Sequence, residues 1–187
     1  MSVNSQPSQC LAAVSSDGFL LGTLVMMGTF LRHHPGWDGQ LVVIHDDGLC
    51  DNSRDCLTVA FPNITFETVS PELTTRIDQL VNSYPDLGRR GRRIYSLEVC
   101  RFDFDSLLYE DSDVLIHAPL DDLFERPEPF LAAPDGPSYT DCGRNPKSYD
   151  PVPHDQMRDD TLLTPFNSGL MRFDFQSGES SLPCTLG

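Results

Sequence analysis

Three short apolar runs, "CLAAV" (10–14), "QLVVIH" (40–45) and "SLLYE" (106–110), constrain the fold more than any other feature of the chain. A strand with one wet face alternates apolar and polar residues, whereas one buried on both faces does not. Stretches with helical character separate these runs. In 19–34, Leu20, Leu24, Met27 and Leu31 recur at spacings of three and four, and Pro35-Gly36 stop the helix. Residues 51–61 fit a short helix, 71–84 a helix begun by Pro71 and Glu72, and 94–104 another. "NITFETV" (63–69) alternates like a strand, "PLDDLFE" (119–125) fits one or two helical turns, and "PFLAAP" (129–134) and "SGLMRFDF" (168–175) supply the last strands. Strands alternating with helices predict an α/β fold: a mostly parallel, twisted, Rossmann-like sheet with helices on both faces. Ligands of such sheets gather at the carboxyl ends of the strands, near a topological switch.

A length of 187 residues fits one domain, expected over 10–175, with a loose segment at 1–9 and an irregular tail at 176–187 that reads as a truncated terminus. Residues 136–165, rich in Pro, Asp, Ser and Gly, predict a long surface loop. The net charge of −15, from 28 acids against 13 bases, argues against nucleic acid or an anionic membrane as partner. The longest apolar run, 19–31, is too short to span a bilayer, and no basic segment precedes it as in a signal peptide. Six cysteines without a C-x-x-C pair fit reduced thiols, and the expected compartment is cytoplasmic.

Asp17, Asp46, Asp47, Asp111 and Asp113 all fall just after predicted strands. In "YEDSDVL" (109–115), an extended backbone would point Asp111 and Asp113 to the same side, where both carboxylates could reach one hard cation. Mg²⁺ and Mn²⁺ favour such oxygen ligands and often hold substrate phosphates with one or two protein carboxylates. A bare D-x-D also reads as a solvated turn; here the apolar flanks fix the acids to a buried scaffold. "RRGRR" (89–93) either sets Arg92 or Arg93 against a diphosphate or forms a solvated loop. No pair of histidines has metal-ligand spacing.

"LLYEDSDVLIHAPLDDLFE" (107–125) resembles the central signature of glycosyltransferase family 8, the glycogenin and galactinol synthase group. Three further segments agree in order: "AAVSSDGFLLGTLVMMGTFLRHHP" (12–35), "FLAAPDG" (130–136) and "FNSGLMRFD" (166–174). The resemblance implies a GT-A fold and a retaining hexosyltransferase that uses a nucleotide sugar, usually UDP-linked (UDP-glucose or UDP-galactose), with Mn²⁺ or Mg²⁺. It implies Asp111 and Asp113 as metal ligands, with Ser112 near the ribose. Ser15, Ser16 and Asp17 match the loop that holds base and ribose, and Phe19 stands where relatives often stack Tyr on uracil. Arg93 is the candidate for the diphosphate. Asp135 matches an acid near the donor sugar, and Asn167 and Ser168 match the motif beside the reacting centre. Taken alone, Asp135 also reads as an ordinary Pro-Asp-Gly turn, Asn167-Ser168-Gly169 as a loop, and Phe19 as core.

The chain departs from the family's pattern in two places. Ser96 replaces a lysine of the family's Lys-Leu-Glu, and the later Asp-Gln and His-x-x-Gly-x-x-Lys-Pro-Trp regions are missing from the sequence. The second reading is therefore a truncated or degenerate non-catalytic domain that holds a nucleotide sugar, or nothing, and serves by interaction. A nucleotidyltransferase would show a Gly-rich basic loop after the first strand, and "SSDGFLLG" is not one. The acceptor, whether sugar, protein or small molecule, is not written in these motifs.

Overall fold

The computed structural model describes residues 8–85, 91–134 and 166–175. Six strands form one sheet: β1 (Gln9–Val14), β2 (Gln40–His45), β3 (Ile64–Thr68), β4 (Ser106–Glu110), β5 (Phe130–Pro134) and β6 (Phe166–Asp174). Their spatial order is β3-β2-β1-β4-β6-β5. β1 pairs in parallel with both β2 and β4, and β2 with β3. β6 runs antiparallel to β4 and β5, so the sheet is mostly parallel. The predicted loop at 136–165 and tail at 176–187 lie outside the described residues.

Among the described residues the helices α1 (Leu20–His33), α2 (Asp51–Ala60), α3 (Pro71–Ser83) and the single turn α4 (Asp121–Phe124) pack with the 3₁₀ segments Asp17–Phe19 and Gly91–Arg101. Alternate residues of β1 enter different cores, which is why its sequence has no polar alternation. Leu11 and Ala13 join Met26, Met27 and Phe30 of α1 and Leu57 of α2. Cys10 and Ala12 face the other way, toward Leu73 and Ile77 of α3 and Val99 of the second 3₁₀ segment. Each fully buried Leu, Ile or Phe in these layers contributes about 1.5–3 kcal/mol over its exposed state. Burial also pushes the Cys10 thiol above its ordinary pKa. Among the described cysteines, Cys10, Cys50 and Cys56 are thiols outside any disulfide.

Two local expectations change. The buried stripe of α1 is Thr23, Met26, Met27 and Phe30, while Leu20, Leu24 and Leu31 pack only partly buried at its margin. The helix is apolar nearly all round, so spacing leaves its rotation open; close approach at Gly22 and Thr23 sets it. The helix expected over 94–104 is a 3₁₀ helix over Gly91–Arg101 and stops before Phe102. Three-residue links accompany the tighter winding: Ser96 Oγ donates to Arg93 O at 3.0 Å, and Arg101 pairs with Glu98. The start of α3 follows its sequence: Pro71 sits in the first turn, and Ser70 Oγ accepts from Leu73 N at 3.2 Å. On β6 the buried Arg172 donates to Arg126 O and Glu128 O, both at 2.9 Å, and thereby holds the turn after α4.

Candidate functional site

The chain leaves β1 toward β2 on one side and later returns with β4 on the other, so the β1–β4 pair is the switch point of the sheet. The carboxyl ends of these two strands open into a cavity of about 400 Å³. Ser15, Ser16 and Phe19 line it from the turn after β1, and Asp111, Ser112 and Asp113 from the turn after β4. Arg93 and Tyr95 reach it from the 3₁₀ segment, and Val14, Asp46 and Tyr109 complete it. One cavity thus gathers eleven residues from segments that are separate in the sequence.

The paired acids reach it by a route other than strand alternation. β4 ends at Glu110, and the next residues form a turn closed by Val114 N donating to Asp111 O at 3.2 Å. The expectation of an extended Asp111–Asp113 is therefore corrected: the turn, rather than the pleat, presents both carboxylates to the cavity. Asp111 N donates to Gly169 O of β6 at 2.9 Å, and Tyr109 Oη donates to Asp111 Oδ1 at 3.0 Å. Burial first, and then the Asp111 charge, hold the Tyr109 phenol above its ordinary range, so it stays a proton donor. Asp111 is half-buried and Asp113 exposed. Ser112 is buried between them, and its hydroxyl donates to Val14 O at 2.5 Å.

Behind this turn lies Glu110, fully buried, with neither carboxyl oxygen hydrogen-bonded among the described residues. Burial foremost, and the neighbouring Asp111 charge second, push its pKa up to about 8. It is therefore a neutral acid at pH 7, and the negative charge of this wall belongs to Asp111 and Asp113.

On the β1 side, Ser15 is buried; its N–H donates to Ile44 O at 2.9 Å and its hydroxyl lies 2.6 Å from Thr23 Oγ1. Asp17 turns away from the cavity. Its Oδ1 accepts from Cys50 N at 2.9 Å and Ser53 Oγ at 2.7 Å, tying the turn to the start of α2. The Cys50 backbone bond, and then the Ser53 hydroxyl, lower its pKa. Phe19 is 54% exposed, so the core alternative for it does not hold. Arg93 is exposed, and its side chain makes no hydrogen bond among the described residues.

The Asn-Ser-Gly segment arrives on β6. β5 and β6 pair from Phe130↔Phe173 to Ala132↔Met171, and then Ala133 pairs with Asn167, so β6 bulges over 168–170 beside the Asp111 turn. Bulges of this kind redirect a strand next to a site. Ser168 is exposed and does not line the cavity, and Asn167 is placed by its backbone. Asp135 lies outside the described residues. Tyr95, Tyr109 and Asp46 are lining residues that the motif reading did not assign. Asp46 alone carried a signal, as a carboxylate after a strand. Among the described residues no group of three or more His, Cys, Asp or Glu is arranged to hold a metal. Two carboxylates at one cavity still suit Mg²⁺ or Mn²⁺ when phosphate oxygens complete the shell, so the residues present fit such an ion. Among the same residues no helix is long and apolar enough to cross a membrane.

A parallel sheet with one reversed strand, opening at the β1–β4 switch onto paired acids, defines a GT-A-type glycosyltransferase fold. The comparisons with known proteins agree. The galactosyltransferase LgtC, solved in complex with donor and acceptor sugar analogues, superimposes with a TM-score of 0.64 at 19% identity, covering 88% of this chain and 57% of that one. Mouse xyloside xylosyltransferase 1, in its apo form, gives a TM-score of 0.52 at 13% identity, covering 95% and 70%. In sequence the chain is 26% identical to glycogenin-1 of Oryctolagus cuniculus over 129 residues, 68% of this chain and 36% of that protein. It thus spans about a third of that relative's length. No family model matches the chain. The solved structures show the fold; the resemblance to glycosyltransferase family 8 rests on the collinear motifs and the likeness to glycogenin-1.

Proposed function

We propose that this chain forms the donor-binding part of a glycosyltransferase that moves a hexose from a nucleotide sugar, UDP-glucose or UDP-galactose, to an acceptor with retention at the anomeric carbon. One observation carries the reading: Asp111 and Asp113 share a cavity with Ser16 and Phe19, positions that the family motifs give to the nucleotide, and with Arg93, the diphosphate candidate of the basic run 89–93. A chain with a net charge of −15, whose cavity is lined by Asp46, Asp111 and Asp113, would repel a diphosphate unless a cation intervened. Asp111 and Asp113 would hold that cation, Mn²⁺ or Mg²⁺. When bound, such an ion neutralises the diphosphate and acts as a Lewis acid toward the leaving group.

The chain's own residues do the rest. Phe19 offers an exposed ring face to the base, and the Ser15–Asp17 turn sets the position of base and ribose. Arg93 can pair two diphosphate oxygens with its planar guanidinium. The Tyr109 hydroxyl fixes the Asp111 carboxylate through one oxygen and leaves the other for the cation. In the reaction the bond between the anomeric carbon and the diphosphate would break, UDP would leave with the electron pair, and an acceptor oxygen would bond to that carbon and pass its proton to the departing diphosphate oxygen. Asp135, Asn167 and Ser168 are assigned to the reacting centre by their motifs, where they would orient the sugar as positive charge grows on its ring.

The test is calorimetry with UDP, with and without Mn²⁺. The wild type binds UDP in a Mn²⁺-dependent manner, and Asp111→Asn or Asp113→Asn weakens binding by more than about 100-fold, beyond the usual effect of residues outside the ligand shell. Equal, metal-independent binding in wild type and both variants would overturn the proposal.

A further inference from the structure

Between the two acids, Ser112 is held from both sides. We infer that Gly22 of α1 and the Ser112 hydroxyl form a positioning clamp that sets Asp111 and Asp113 against the turn after β1. The inference rests on the metal-nucleotide reading for its functional consequence, though not for its geometry.

A Cβ at Gly22 would overlap the Ser112 carbonyl oxygen, and would stand 3.3 Å from its carbon and 3.9 Å from Asp113 Cα. These are backbone atoms, so no flexible side-chain end can move aside to make room. On the opposite side the Ser112 hydroxyl donates to Val14 O, the last carbonyl of β1. Ser112 itself is only 5% exposed, so its side chain is spent on the protein rather than offered to a ligand.

The clamp is the upper end of a longer attachment. Further along α1, Thr29 Oγ1 donates to Met26 O at 2.9 Å and accepts from Ile116 N at 3.2 Å. Near its C-terminus, His34 Nε2 accepts from Leu120 N at 2.9 Å while Nδ1 bonds Phe30 O at 2.9 Å. Residues 112–120 therefore run along α1 and meet it at Gly22, Thr29 and His34 in turn. The first contact places the acids, and the other two hold the strap that follows them. Gly28 is the natural control on the same helix, because a Cβ there meets nothing within 4 Å. Helix propensity disfavours glycine at both positions alike. Only at Gly22 does close packing against the acid turn call for it.

The experiment compares Gly22→Ala, Ser112→Ala and Gly28→Ala by ¹H–¹⁵N spectra of the metal-free protein and by calorimetry with UDP and Mn²⁺. Gly22→Ala should shift the amides of residues 111–114 while leaving those of β3 and α3 in place, and should weaken Mn²⁺-dependent UDP binding by about 10–100-fold. Ser112→Ala, which adds no atoms and so keeps the test open if Gly22→Ala fails to fold, should move the same amides with about a tenfold loss. Gly28→Ala should do neither. Unchanged amides at 111–114, or affinities within twofold of wild type in Gly22→Ala and Ser112→Ala, would overturn the clamp. If the wild type itself binds no UDP with Mn²⁺, the metal-nucleotide reading fails, and the amide shifts alone still decide whether the clamp exists.

Discussion

The two kinds of residue around the cavity differ in what their polar groups are doing. Ser15, Asp17, Tyr109 and Ser112 have each committed a side-chain oxygen to the protein, through Thr23, Cys50 and Ser53, Asp111 and Val14 respectively. Phe19, Arg93 and Asp113 are exposed and make no side-chain hydrogen bond among the described residues. The first set fixes where the turns lie; the second is left to meet a ligand. Residues that a motif groups together as a binding loop thus divide into scaffold and contact. Only the contacts should govern affinity directly.

The sharpest probe of the committed side is Glu110, buried behind it with no hydrogen-bond partner among the described residues. Glu110 is neutral in the fold up to a pKa of about 8, against an ordinary value of 4.5. Because its folded pKa is raised, its contribution to stability is fully present below pH 4.5 and is lost as pH rises toward 8. Glu110→Gln removes this dependence. Chemical denaturation of the metal-free protein should show the variant gaining on wild type across that window, by on the order of 3–4 kcal/mol at its upper end. A constant difference from pH 5 to pH 8 would mean that the carboxyl finds a partner or water.

A smaller effect separates the two sets directly. Phe19→Ala should weaken UDP binding about tenfold, the scale of one base stacked on an aromatic ring, with the melting temperature unchanged. Asp17→Ala should do the reverse: a melting temperature lower by a few degrees and a UDP affinity within about threefold of wild type, as for a lost helix-start bond. The pKa of Asp17 is lowered, so the stability it adds holds above its ordinary value of 3.8 and disappears as pH falls through the lower folded value. If both variants lose affinity equally, the division into scaffold and contact is wrong.

Much of the fold could be read in the sequence, and the reason is burial. "SLLYE" is β4 to the residue, and "QLVVIH" is β2, because a strand covered on both faces has an unbroken apolar middle and the polar residues flanking it mark its ends. The two cores follow from the same runs. The rotation of α1 could not be read, since nearly every residue of "LLGTLVMMGTFL" is apolar and spacing has no contrast to work with. Of the two glycines inside that run, Gly22 is the one with a packing reason, and the reason is Ser112; Gly28 has none, so the sequence does not tell them apart. At the site, Asp111 and Asp113 were legible as a pair, but not the turn that presents them, because that turn is closed by a backbone bond any residue could make. The tasks of Asp17 and Ser112 were hidden for a related reason. Their partners, Ser53 and Val14, lie far off in the chain and carry no motif.

The central claim is that the two acids after β4 grip a divalent ion bound to a nucleotide diphosphate. Crystals soaked with Mn²⁺ and UDP, measured at a wavelength where manganese scatters anomalously, test it most directly. The account predicts one strong anomalous peak within about 2.0–2.5 Å of carboxylate oxygens from both Asp111 and Asp113, with diphosphate density on its other side and the base beside Phe19. Ordered UDP in the cavity with no peak at the acids, or a peak held by other residues, would contradict it.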